Sequence, residues 1–488
     1  MSEGFRAPEP QGAAVSGQVI LCDGTTTTLR PARLSDGALF TNFLARIGLE
    51  SYHRRFFANT PVKVVAARML APEPPETKLV LLVLTGDALG GDAADGAQVG
   101  TLDPPRLLGT GEYARAAPDS DTAEVAFLVA DSAHGKGLGT LILERLALAA
   151  ARRGITRFTA LTMAQNRAML SMFAGSGFKI HQQLESGEVE LDFSILPSRE
   201  SVARTELRER AATVASLYPF FKPRTVAVLG LSTSPRVLTH LREGEFTGAT
   251  YLVNPNVEGA YASVAALPER AELAVVALPQ HAVLEAVDAC GRAEVRAVIV
   301  ISAGFAESEA VGRALQAVVT KLARGYGMRL VGPSSLGLFN MSVRLNAGLA
   351  PELPLPGGVS VSSQSRALAI LEHAREMGLG SVVSLGNKAD VSRNDLLQYW
   401  EDDPDTRLIV LYLASFGNLR CFARLARRVG RQNRSRSLKR VRAGFQTSPP
   451  TRCFVRPGWF EPRPLKNFSR LRLCSSGGRY RRGQGSAS

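Results

Sequence analysis

No stretch of this 488-residue chain comes near the roughly 18 to 20 consecutive apolar residues of a membrane-spanning helix. The opening residues, MSEGFRAPEPQGAAVSG, hold no apolar run of the kind a secretory signal needs. The expectation is a cytoplasmic protein that does not associate with membranes. Cysteine is sparse: Cys22, Cys290, Cys421, Cys453 and Cys474 are scattered, without a CxxC pair or a nearby histidine. That pattern gives neither a disulfide framework nor a zinc site, so no metal is expected. Acids are nearly missing from one region. Of a net charge of +14, the segment Arg431–Ser488 carries 15 Lys plus Arg against one acid, Glu461. Residues 1–430 balance at 43 basic and 43 acidic side chains. Such a charge usually invites a nucleic-acid reading. Here the body is neutral, and no specific nucleic-acid partner is expected.

What is present points to soluble α/β material: 45% hydrophobic residues and 45 glycines. The length suggests about two to four domains. From Gln18 to Pro197, β-like and helical runs alternate. VILCDGTTTTLRPA, KLVLLVLTG, LLGTGEYARA and AEVAFLVA read as strands, and GDALGGDAADGAQ as a mobile loop. GTLILERLALAAARRG reads as a helix ended by Gly154, FTALTMA as a strand, and NRAMLSMFAGSG as a helix. Residues 198–217 form a charged helical linker. Residues 218–351 repeat strand and helix, with the unalternating runs TVAVLGLS, LAVVALP and AVIVISAG expected of buried parallel strands. That is a doubly wound, Rossmann-like sheet. Residues 356–430 give a second, flavodoxin-like unit from GVSVSSQS, SVVSLGN and LIVLYLAS. Residues 431–488 show no helical or strand period and read as a basic, disordered tail.

The sharpest chemical signal is a strand, a glycine loop and a helix: AEVAFLV, ADSAHGKGLGT, LILERLALAAARRG. Gly135, Gly137 and Gly139 let backbone approach an anion closely, since no Cβ intervenes. The helix that follows aims its unpaired N–H groups and positive dipole end at the same point. A pyrophosphate belongs there. Glu124, on the strand just before the loop, is the candidate general base. A carboxylate placed there can accept a proton from a nucleophile beside the bound ligand.

This loop resembles the acetyl-CoA signature of GNAT acetyltransferases, with His134 in the Gln or Arg position and Gly137 and Gly139 as its glycines. LRPARLSDGALFTNFLARIGLESYHRRFF resembles the first strand and helices of the protein-acetyltransferase branch, and ALTMAQNRAMLSMFAGSGF its closing strand and helix. The likeness covers about residues 18–193 and implies an N-terminal GNAT fold using acetyl-CoA. It implies contacts from Ala126, Phe127 and Leu128 to the pantetheine arm, from His134, Gly135, Lys136, Gly137, Leu138, Gly139 and Thr140 to the pyrophosphate, and from Asn166. It places Glu124 as base. Phe173 stands where many relatives have a tyrosine acid. Arg54 and Arg55 could contact substrate, but the expectation for them is an ordinary solvated helix face.

The second half resembles the CoA-binding and succinyl-CoA-synthetase-type domains of NDP-forming acyl-CoA synthetases, through VAVLGLSTSP, LVNP, VVALPQHAV, VISAGFAE, VGPSSLGLFN and VSVSSQSRALA. A second CoA site at Gly230 and Ser232 is implied. The ligase chemistry is not. Those enzymes phosphorylate a histidine beyond the point where the likeness ends, and here no histidine follows His373. Ala414 replaces a glutamate, Arg366 a glycine, and Ser334-Ser335 an Asn-Cys pair. The abrupt end of the pattern reads as a frame-shifted or prematurely ended translation. Together the likenesses imply a bacterial protein lysine acetyltransferase with an inactive, regulatory ligase-like portion. Its partners would be acetyl-CoA and proteins with exposed lysines, acyl-CoA synthetases among them, and an oligomer is compatible. The alternatives are a small-molecule amine acetyltransferase, a CoA or acyl-CoA sensor, and an NDP-forming ligase fragment.

Overall fold

The computed structural model describes residues 15–56, 60–85, 105–230, 234–350, 354–364, 378–413, 419–431, 440–445, 451–456 and 459–464. The first sheet is made of β1 (Gly17–Ile20), β2 (Thr26–Pro31), β3 (Lys78–Thr85), β4 (Arg106–Arg115), β5 (Thr122–Val129), β6 (Arg157–Met163), β7 (Ile180–Glu185) and β8 (Glu188–Ser194). Its helices are α1 (Gly37–Leu44), α2 (Leu49–Phe56), α3 (Val62–Leu70), α4 (Leu138–Ala151) and α5 (Arg167–Gly175). The strands lie in the order β1-β2-β3-β4-β5-β6-β8-β7. Neighbours run antiparallel except β5 and β6, because α4 carries the chain back to where β6 starts.

Alternation along β5 assigns its two faces. Ala123, Val125 and Phe127 pack with Leu138, Leu141, Ile142 and Leu146 of α4. Leu128 packs on the other face with Phe40, Phe43 and Val65 from α1 and α3. Leucines spaced three and four apart make α4 a buried helix, and its core face is fully covered.

Helix α6 (Arg199–Phe221) joins this unit to the rest. Ser198 caps it by accepting a hydrogen bond from the Ser201 amide at 3.0 Å. The sequence reads the segment as a charged linker, yet its second half is core. Leu217, Phe220 and Phe221 join a cluster with Val226, Val275, Leu338, Val383 and Trp400. The charges sit in the first half of the helix and the apolar residues in the second, which hides its buried end from a composition reading.

The second sheet is wholly parallel: β9 (Thr225–Gly230), β10 (Ala249–Val253), β11 (Leu273–Ala277), β12 (Ala297–Val300) and β13 (Arg329–Val331), in the order β10-β9-β11-β12-β13. Helices α7 (Ser234–Glu243), α8 (Val283–Arg292) and α9 (Ala310–Gly325) connect these strands. The order reverses at β9, and a crevice opens at the carboxyl ends of such a reversal. The third sheet holds β14 (Gly337–Asn340), β15 (Leu345–Gly348), β16 (Pro356–Ser363), β17 (Leu379–Ser384), β18 (Leu408–Leu413) and β19 (Arg440–Phe445), in the order β15-β14-β17-β16-β18-β19. Helices α10 (Arg393–Asp402) and α11 (Leu419–Arg431) belong to it.

The basic tail departs from its sequence reading. β19 pairs in parallel with β18, and β20 (Thr451–Arg456) pairs with β21 (Trp459–Pro464). In β19, Val441, Ala443 and Phe445 alternate with Arg440, Arg442 and Gly444, a period of two that the density of charge obscures. The loop at residues 86–98, Ser232, Arg366, Ala414 and the side chain of Arg54 lie outside the described residues. No helix among the described residues is long and apolar enough to cross a membrane.

Candidate active site

Strands β5 and β6 pair for only three residues each. Thr122, Ala123 and Glu124 face Arg157, Phe158 and Thr159, and there the pairing stops. β5 runs on to Val129 along β4, and β6 runs on to Met163 along β8. The two strands therefore diverge into a wedge that opens at Glu124. Backbone groups on the β6-facing edge of Val125–Val129 have no strand partner among the described residues. An extended arm can pair with that edge as an added strand would. The inner walls of the wedge include Ala126, Phe127 and Leu128.

Glu124 is exposed. It shares its face of the sheet with Glu112, because Glu112 pairs with Ala126 and Ala114 with Glu124 across β4 and β5. Arg55 of α2 reaches this face. Its guanidinium donates to Glu112, lies 5.0 Å over the Phe56 ring, and feels the charges of both Glu112 and Glu124. Burial lowers the guanidinium pKa from its ordinary value, and the two carboxylates work against that fall. The solvated-face reading of Arg55 is thus corrected: its side chain is largely covered, at 15% exposure. Glu112 escaped the sequence reading altogether. Register across two strands separated in sequence brings it to Glu124, and no local spacing signals that.

The glycine loop follows β5 at the wide end of the wedge, where the two strands have diverged. Gly135 and Gly137 take left-handed backbone, φ +74° and +76°, and α4 begins directly after Gly137. A Cβ on Gly135 would meet nothing within 4 Å, so its outer surface is open. Gly139 differs. A Cβ there would lie 3.3 Å from Met172 of α5, so it serves helix packing as well as the loop. Behind the loop, the β1–β2 turn acts as a brace. The Cys22 amide donates to the Lys136 carbonyl at 3.3 Å, and Lys136 pairs with Asp23 at 3.3 Å. Burial raises the Asp23 carboxyl, but hydrogen bonds from Thr25 and Lys136 outweigh it and leave the pKa low. Asp131 accepts from Ser51 at 2.7 Å and from the Gly48 amide at 3.1 Å, tying the loop to α2 and so to Arg55. The Ser51 bond leads in holding the Asp131 carboxyl below its usual range. His134 puts Nε2 3.2 Å from the Val129 carbonyl. Leu138 is buried at the start of α4, and Thr140 is half-buried one residue past Gly139.

Asn166 and Phe173 sit on α5. Asn166 is 8% exposed; it caps the helix by accepting from the Met169 amide at 3.3 Å and donates to Thr162 Oγ1 at 3.2 Å. Its amide is engaged within the protein. Phe173 is fully buried, edge-on to Phe127 at 6.0 Å and to Phe193 at 5.5 Å. It offers no proton.

Family models match this chain in three places: the acetyltransferase (GNAT) family over residues 73–178, a CoA binding domain over 224–341, and a succinyl-CoA ligase like flavodoxin domain over 356–435. The chain carries a GNAT N-acetyltransferase domain. Acetyl-CoA is its co-substrate, and two domains of the acyl-CoA ligase type follow it. Over 226 residues the chain is 37% identical to acetate–CoA ligase (ADP-forming) I of Archaeoglobus fulgidus, covering 43% of this chain and 33% of that one. Over 237 residues it is 34% identical to the alpha subunit of acetate–CoA ligase (ADP-forming) I of Pyrococcus furiosus, covering 44% and 51%. The chain thus spans between a third and about half of the length of these relatives. Among solved structures, the GNAT domain of S. lividans PAT is 27% identical, with a TM-score of 0.31, over 38% of this chain and 99% of that chain. Apo acetyl-coenzyme A synthetase 1 of Ca. Korarchaeum cryptofilum is 33% identical, with a TM-score of 0.43, over 47% and 52%.

In the CoA-binding domain, Gly230 ends β9 at the reversal of strand order, with φ +145°. A Cβ there would lie 2.3 Å from the Ala277 carbonyl oxygen at the end of β11. Asn254 donates to the Gly230 carbonyl at 3.1 Å and fixes the turn.

Proposed function

We propose that this protein is a cytoplasmic enzyme that moves the acetyl group of acetyl-CoA onto lysine side chains of other proteins. The observation that carries this reading is the wedge opening at an exposed Glu124. Leu161, two residues past Thr159 on β6, lies on the Glu124 side of the sheet and is 45% exposed. An acceptor on a protein surface can reach such a face, whereas a small amine is better served by an enclosed pocket.

In this mechanism the pantetheine arm pairs with the free edge of β5 at Ala126, Phe127 and Leu128. Amides of His134–Thr140 and the start of α4 hold the pyrophosphate, the arrangement an anion needs at a helix N-terminus. Glu124 takes the proton from the incoming ammonium, directly or through one water. The neutral amine attacks the thioester carbonyl, the C–N bond forms, the C–S bond breaks, and the attacking nitrogen releases its surplus proton to water. The thiolate leaves without a donated proton, in keeping with Phe173. Arg55 holds Glu112 and keeps the second carboxylate from competing for the ammonium. Asn166 contributes by fixing the start of α5.

The ligase-like half is regulatory on this reading. Its crevice at Gly230 and Ser232 is suited to a second CoA. Labelled acetyl-CoA with a panel of acceptor proteins tests the main claim. Glu124→Gln should lower transfer by about 10² to 10⁴, the usual cost of losing a general base, with little change in acetyl-CoA affinity. Full activity in that variant, or label only on small amines, would overturn it.

A further inference from the structure

Between the acetyltransferase domain and the CoA-binding domain lies a cavity of about 470 Å³, beside the glycine loop. It is roomy enough for a nucleotide-sized ligand. From the first domain it takes Arg106, Lys136 and the turn at Asp23; from the second it takes Arg270, Arg292, Arg296 and the Gly325–Gly327 turn. Five cations and two carboxylates, Asp23 and Glu294, thus line it from two domains. Three have acidic partners: Lys136 with Asp23 at 3.3 Å, Arg270 with Glu294 at 2.8 Å, and Arg292 with Asp288 at 2.8 Å. Arg106 and Arg296 have no ion-pair partner among the described residues, and both are exposed.

The walls are held in place by close backbone contact, not by long side chains. A Cβ on Gly24 would come within 2.7 Å of the Ala215 and Ser216 backbone, and the Thr26 amide donates to the Gly327 carbonyl at 3.5 Å across the seam. Like charges fixed around one concave space repel one another, and a low-dielectric cleft focuses their field. A multivalent anion relieves that repulsion.

We propose that this cavity binds a phosphate-bearing anion that bridges the two domains through Arg106 on one side and Arg296 on the other. Two sources share that chemistry: the 3′-phospho-ADP end of an acetyl-CoA seated on the neighbouring glycine loop, or a separate nucleotide. Lys136 belongs to both the loop and the cavity wall, so the two sites lie side by side. A separate nucleotide there would sense or set the position of the loop.

The test uses the full chain and the double variant Arg106→Glu/Arg296→Glu, with Arg296→Gln as a milder second variant if the double one folds poorly by circular dichroism. Calorimetry with ADP is run in saturating acetyl-CoA, and KM is compared for acetyl-CoA and acetyl-dephospho-CoA. If the anion is a separate nucleotide, ADP binds the wild type under saturation, and the double variant binds it roughly tenfold more weakly or worse. If it is the 3′-phosphate of the co-substrate, ADP does not bind under saturation. The wild type then prefers acetyl-CoA to its dephospho form several-fold, and the variants erase that preference. Equal ADP behaviour and equal KM ratios in folded wild type and variants would overturn the proposal. The ADP arm reads binding alone, so it stands apart from the acceptor reading above.

Discussion

Gly137 and Gly230 both follow a strand, both take a backbone that side chains avoid, and both stand in a turn suited to phosphate. The resemblance ends at their surroundings. A Cβ on Gly137 would touch only Cys22, at 3.8 Å, whereas one on Gly230 would strike the Ala277 carbonyl at 2.3 Å. The first glycine leaves space on its outer side for a ligand. The second allows two parallel strands of the protein itself to close. A glycine-rich turn therefore says little about ligand binding until the neighbour of its missing side chain is known.

The same substitution at both places should break the pair apart. Gly230→Ala forces β9 and β11 apart at the reversal point, and should cost on the order of 3 kcal/mol, the upper end of typical overpacking. A sharp fall in the denaturant midpoint of the ligase-like half is the expected result. Gly137→Ala meets only the cost of left-handed backbone, about 1 to 2 kcal/mol. Its domain should stay folded while KM for acetyl-CoA rises about tenfold, because the loop no longer presents its amides squarely to the pyrophosphate. Equal stability loss in the two variants would remove the distinction.

The order of elements was legible from the residues, since buried parallel runs such as TVAVLG and the loop before α4 carry their own periods. Glu124 and the loop glycines were legible because strand, loop and helix are contiguous. Glu112 and Arg55 were not. Their meeting depends on cross-strand register and on α2 docking through Asp131, and both link residues dozens apart. The core role of α6 was hidden by its charged first half, and the strands after residue 439 by their arginines.

The smallest expected effect concerns α6, the joint between the halves being compared. Along it, Glu206 pairs with Arg424 of α11, Arg208 with Glu144 of α4, Glu209 with Arg145 of α4, and Arg210 with Glu401 and Asp402 of α10. Helix α4 starts at the glycine loop, so this network runs from the acetyl-CoA side to the third sheet. Burial pushes the Glu209 carboxyl up to about 7, against the pull of Arg145 and Arg208. A folded-state value above the unfolded one means that the native protein holds a proton the unfolded chain has released. The contribution of Glu209 to stability is then highest below about pH 4.5 and falls as pH rises toward 7, levelling off above. At about 1.4 kcal/mol per unit as a ceiling, and with Arg145 3.3 Å away, a net loss on the order of 1 to 2 kcal/mol between pH 5 and 8 is expected. Carboxylates held low, such as Glu307 at about 2, act in the opposite sense and only in more acid solution, so they leave this window clear. Glu209→Gln keeps the shape of the protonated side chain and removes its titration. Thermal unfolding followed from pH 5 to 8 should show the wild type losing stability and the variant nearly flat. An unchanged slope in Glu209→Gln would place the titrating group elsewhere and leave the joint a passive connection between the two halves.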